Sequence, residues 1–174
     1  MHQKLPIEID PFRLAKSGLI LEGELPLKTM RRLSEMLHDD GGSVHVKMSF
    51  DVDKVLGTPY VNGEFITSLP LVCERCSEPM QYEVNVQCSL AMVSNERKIE
   101  SLAEQYEPWV IDNDDPIILS SIIEDELILA IPLIPKHEHS CLPAEAWFAG
   151  EEIEEDVERK SSPFAVLSAL KSKD

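Results

Sequence analysis

Two short stretches carry the residue types that could do chemistry. The first is CERC, with Cys73 and Cys76 separated by two residues; the second is HEHSC, with His137, His139 and Cys141 within five. A Cys-x-x-Cys pair fits half of a tetrahedral metal site, a redox couple, or two buried thiols. A metal reading needs two further ligands, and PKHEHSCLP supplies three candidates. Such a site would close about sixty residues of chain around one ion, which gives it a structural character. A redox reading needs the first cysteine at a helix N-terminus, where the dipole lowers its pKa. CERC instead lies between an apolar run and an alternating one, a hairpin setting that lacks the activating helix.

The flanking elements set the fold class. Leu5, Ile7 and Ile9 alternate with polar residues, and Asp10-Pro11 and Ser17-Gly18 interrupt the chain after them. LILEGELP alternates again, and KTMRRLSEMLHDDGG changes to a helical period, with Met30, Leu33, Met36 and Leu37 on one face. SVHVKMSFDVD returns to strict alternation, YVNGEFITSLPLV follows with a turn or bulge at Asn62-Gly63, and MQYEVNVQCSLAMV is a third long strand. Cys88 lies in the apolar register of that strand and reads as a core thiol. Residues 94–105 read as a loop and YEPWVI as a short strand. PIILSSIIEDELILAIPLIP is a helix, with Ser120 or Ser121 as cap, Ile118, Ile122 and Leu129 on a buried stripe, Glu124, Asp125 and Glu126 on a solvated face, and Pro132 as its end.

Strands dominate the first two-thirds and helix follows. The chain is therefore α+β, a mostly antiparallel or barrel-like sheet with a few helices. We divide it into a core domain over 1–142, an acidic flexible linker over 143–161, where EEIEEDVE places six acids in eight residues, and a short amphipathic helix over 162–174. Phe164 and Leu167 lie on the apolar face of that helix and are candidates for docking into a partner.

The 174 residues carry 32 acids and 16 bases, a formal charge of −16. Thirteen acids and nine bases fall in residues 1–95, a net of −4; nineteen and seven fall in 96–174, a net of −12. Such a chain repels phosphate backbones and suits a basic protein partner. Were RNA contacted directly, Arg13, Lys16, Lys28, Arg31 and Arg32 are the first candidates. No phosphate loop, HExxH, GxSxG or calcium-loop pattern occurs, so a non-enzyme with no small-molecule substrate is expected. No leader pattern and no apolar run of about 20 residues is present. Four cysteines are too few for a secreted disulfide scaffold, and the expectation is a soluble intracellular protein.

Taken in order, CERCSEP, an alternating strand, YEP, EDELILAIPLIP, HxHxC and SPFAVLSALK resemble the YceD family, and the proteobacterial branch most closely. The resemblance runs nearly from end to end. It implies a cytoplasmic, non-catalytic factor in 23S rRNA accumulation and large-subunit biogenesis. Its partner would be a basic ribosomal protein or a large-subunit precursor, bound with Arg13, Lys16, Arg31, Arg32, Phe164 and Leu167 as candidate contacts. The resemblance also selects Cys73, Cys76, His137 and Cys141 as ligands of one structural zinc, with His139 as second choice. A thiol-disulfide protein using Cys73 and Cys76, and a direct rRNA-binding module, are the alternatives.

Overall fold

The computed structural model describes residues 4–111 and 117–143. The chain opens with strand β1 (Glu8–Ile9) and helix α1 (Pro11–Ser17). The interruptions seen in the sequence are the caps of this helix. The Asp10 carboxylate accepts from Arg13 N–H at 3.0 Å, Pro11 occupies the first turn, and Gly18 closes it in the left-handed region at φ 59°.

Strand β2 (Ile20–Pro26) follows, then a 3-10 turn (Leu27–Thr29) and the one-turn helix α2 (Arg31–Ser34). The sequence predicts a longer helix here. Met30 leaves helical geometry at φ −109°, ψ 88°, and beyond α2 the His38 N–H is drawn to the Pro70 carbonyl at 2.8 Å. Met30 and Leu33 are buried as the period requires, whereas Met36 is exposed.

Three long strands form the centre: β3 (Ser43–Val52), β4 (Pro59–Val72) and β5 (Pro79–Val93). They make an antiparallel meander with β2 on one side. Asn62-Gly63 is neither turn nor bulge but lies within β4, with Gly63 opposite Met48 and Cys88. A Cβ on Gly63 would stand 2.7 Å from Phe65 Cζ and 2.8 Å from Cys88 Sγ, so the Phe65 ring fills the space that any side chain would need. Cys88 itself is half-buried.

After β5 a 3-10 turn (Glu96–Ser101) occupies part of the expected loop, and β6 (Glu107–Val110) pairs parallel to β5, giving the order β2-β3-β4-β5-β6. The intervening segment supplies the crossover that parallel pairing needs. Strand β7 (Ile117–Ile118) pairs with β1 and leads into helix α3 (Leu119–Ala130).

Leu119, Ile123 and Leu127 of α3 meet Val44, Val46, Met48, Phe50, Phe65 and Leu69 of the sheet in one core, joined by Leu27, Met30 and Leu33. Ile122 belongs to this stripe, but Ile118 and Leu129 are exposed: helical spacing from Leu119 and Ile123 turns position 129 outward. No serine caps α3; Ile118 precedes it in extended geometry, and the helix ends at Ala130, with Ile131 extended before Pro132. Glu124 is buried, contrary to the solvated face expected of all three acids. No described helix is long and apolar enough to cross a membrane. The expected linker beyond Pro143, and the helix at 162–174, lie outside the described residues.

Candidate metal centre

The hairpin between β4 and β5 presents CERC at its tip. Two backbone bonds close the loop: Cys73 N–H to the Glu78 carbonyl at 2.9 Å, and Ser77 N–H to the Cys73 carbonyl at 2.8 Å. Ser77 takes φ 61°, the one described non-glycine residue with positive φ. The left-handed residue turns the chain back so that β5 can leave beside β4.

The same loop occurs once more among the described residues. Between β3 and β4, Asp53 N–H bonds the Thr58 carbonyl at 2.8 Å and Gly57 N–H bonds the Asp53 carbonyl at 2.8 Å, with Gly57 at φ 68°. Each loop is preceded by a valine and followed by a proline. In the first, Asp53 Oδ1 accepts from Val55 and Leu56 N–H at 2.8 and 2.9 Å. In the second, the Cys73 sulfur faces the N–H groups of Arg75 and Cys76, the equivalent positions. A carboxylate at one site and a thiolate at the other satisfy the same two donors.

The segment leaving α3 runs back to this tip. Glu74 N–H bonds the Pro135 carbonyl at 2.8 Å, which brings residues 137–141 against the loop. One ligand atom from each of Cys73, Cys76, His137 and Cys141 then falls within 4.8 Å of the others. Cys73 Sγ lies 3.8 Å from Cys141 Sγ, and Cys76 Sγ lies 3.4 Å from His137 Nδ1. Ligand bonds of ordinary zinc length in a tetrahedron put two sulfurs about 3.8 Å apart and a sulfur and a nitrogen about 3.5 Å apart. Three soft thiolates with one imidazole form a donor set that suits zinc, and both separations fit it. Bound there, a divalent ion would join the hairpin to the end of the α3 segment.

His139 is not in this group. It is exposed, and its ring lies against that of His137, with centroids 4.9 Å apart. Arg75, between the two cysteines, carries no prediction from the sequence and proves central. Its Nε donates to Cys141 Sγ at 2.9 Å, and its Nη2 donates to the His137 carbonyl at 3.0 Å and to the His139 carbonyl. Its position inside CERC is the signal that could have pointed to it.

The electrostatics follow from these contacts. Burial pushes the Cys73 thiol up, but the N–H groups of His137, Cys76 and Arg75 outweigh it and hold Cys73 at about 5. Burial, with the neighbouring thiols adding to it, pushes Cys76 to about 11. Cys73 is fully buried, so its sulfur faces the other candidate ligands and not an incoming disulfide.

The remaining candidates are dispersed. Arg13 and Lys16 are exposed on α1, and Lys28 is exposed in the 3-10 turn. Arg31 pairs with Glu35 at 3.4 Å on the surface. Arg32 is held by Glu124 at 2.9 Å and by Asp125 at 2.7 Å, so its charge is engaged within the fold. Phe164 and Leu167 lie outside the described residues.

A family model described as large ribosomal RNA subunit accumulation protein YceD matches residues 61–171, from β4 through both ligand pairs. The chain belongs to the YceD family. A curated relative, large ribosomal RNA subunit accumulation protein YceD of Haemophilus influenzae, is 33% identical over 174 residues, covering 98% of each chain. No solved structure matches the chain. The matched region includes the whole Cys3His group.

Proposed function

We propose that the protein supports large-subunit rRNA accumulation in the cytoplasm without catalysis, by holding a basic ribosomal protein or a large-subunit precursor. In this reading one structural zinc, held by Cys73, Cys76, His137 and Cys141, fastens the fold that presents the binding surface. The observation that carries the reading is a formal charge of −16 in a YceD family member. That charge opposes unaided binding to phosphate backbones and favours a basic protein surface. The Cys3His geometry supports the structural role, because all four protein ligands are present and a closed tetrahedron leaves no open position for substrate. The depth of Cys73 speaks against thiol-disulfide exchange, which needs an accessible sulfur.

Capture from lysate at low salt, with mass spectrometry and RNA sequencing of the bound material, tests the proposal. Recovery of a basic large-subunit protein, lost steeply as salt rises, is the expected result. Recovery of neither ribosomal proteins nor large-subunit precursors would sink it. Retention of naked 23S fragments by the purified protein would favour direct RNA binding instead.

A further inference from the structure

Arg75 is half-buried and reaches across the gap between the two ligand pairs. It touches one ligand sulfur and two carbonyls of the segment that supplies the other ligands, three contacts within Cys141 and the turn before it. Three thiolates and a neutral imidazole around a divalent cation leave one excess negative charge. A guanidinium bonded to one of the sulfurs cancels it, and its planar fork fixes direction as well as charge.

We propose that Arg75 is the positioning residue of the metal centre: it holds residues 137–141 in ligating geometry against the CERC loop and neutralises the charge of the loaded site. The inference rests on the reading that the Cys3His group holds a metal. Its physical content is preorganisation. Ordering a chain segment around an ion costs conformational entropy, and contacts that order the segment beforehand reduce that cost at binding. Glu74 N–H on Pro135 holds the start of the segment, and Arg75 holds its end. The bond to Cys141 also withdraws electron density from that sulfur, the one sulfur of the group to which the described guanidinium donates.

Zinc competition against a chromophoric chelator, on the full chain and on Arg75→Met and Arg75→Lys, tests this. Losing an outer contact of this kind weakens metal binding about ten- to a hundred-fold, the loss expected for Arg75→Met. Arg75→Lys, which keeps the charge but not the fork, should fall between. Cobalt(II) loading supplies a second readout. Losing the bond to Cys141 should move the sulfur-to-cobalt charge-transfer band to lower energy, which an effect on folding alone does not do. If Arg75→Met and Arg75→Lys bind zinc as the natural chain does, with an unmoved cobalt band, the role of Arg75 is overturned and the metal centre stands. If the natural chain binds neither zinc nor cobalt, the metal centre falls and the role of Arg75 with it. Should Arg75→Met fail to fold, the lysine variant decides: affinity and band equal to the natural chain overturn the proposal.

Discussion

Glu124 is 7% exposed, yet every polar atom it buries is answered. Its Oε1 accepts from Leu33 N–H at 3.0 Å, and its Oε2 accepts from Arg32 Nη2 at 2.9 Å and Nε at 3.2 Å. The carboxylate thereby takes a free N–H of α2 and ties that turn to α3, which explains how a one-turn helix persists. Burial raises the Glu124 pKa, but the Leu33 N–H and Arg32 outweigh it and leave the carboxyl below its ordinary value. The unfolded chain therefore binds the proton more readily than the native one. The stabilisation is fully present above the unfolded pKa, about 4.3, and is lost as pH falls through the lower native value. Glu124→Ala leaves the Leu33 N–H unanswered and should cost about 1–3 kcal/mol at neutral pH. Glu124→Gln, which keeps an acceptor, should cost less. Thermal unfolding from pH 7 to 3 checks both: the gap between natural chain and variant should narrow as pH falls below the unfolded value of about 4.3.

At the scale of elements, the strands were legible because one face of each meets the core and the other does not. Val44, Val46, Met48 and Phe50 are buried in strict alternation, and β4 and β5 follow the same rule over most of their length. The helices were less legible. Helix α1 has only seven residues, too few to show a period, and its signals were its caps. Helix α2 is broken by the pull of the chain toward Pro70, a tertiary effect with no local trace. Gly63 misled in the other direction, since Asn-Gly ordinarily signals a turn. Here the glycine answers to the Phe65 ring above it. Gly63→Ala should overpack that site and destabilise by about 1–3 kcal/mol, read by denaturant unfolding with an unchanged m-value. An alanine variant as stable as the natural chain would show that Phe65 can swing aside.

For the whole molecule, the cysteine spacing and the HxHxC segment brought the candidate ligands to notice, but could not choose between His137 and His139. That choice depends on where Pro135 docks, a contact formed across about sixty residues of sequence. Charge, by contrast, is legible in full from composition. With a formal net of −16, the purified protein should show no measurable retention of 23S fragments at physiological salt. Filter binding across a salt series checks this.

The paired hairpin loops give the molecule an internal control for testing the proposed metal centre. Gly57 and Ser77 donate the same backbone bond in loops of the same shape, but one loop is anchored by a carboxylate and the other by a ligand sulfur. Hydrogen exchange at these two amides should therefore respond differently to a chelator: Ser77 should quicken while Gly57 keeps its rate. The β4–β5 hairpin should keep its strand protection throughout, because its long antiparallel ladder, from Tyr60–Ala91 to Val72–Pro79, holds independently of the loop. Removing the metal would then unlatch the 137–141 segment and leave the sheet intact, so that occupancy by the ion could be read residue by residue against a clock carried in the same chain.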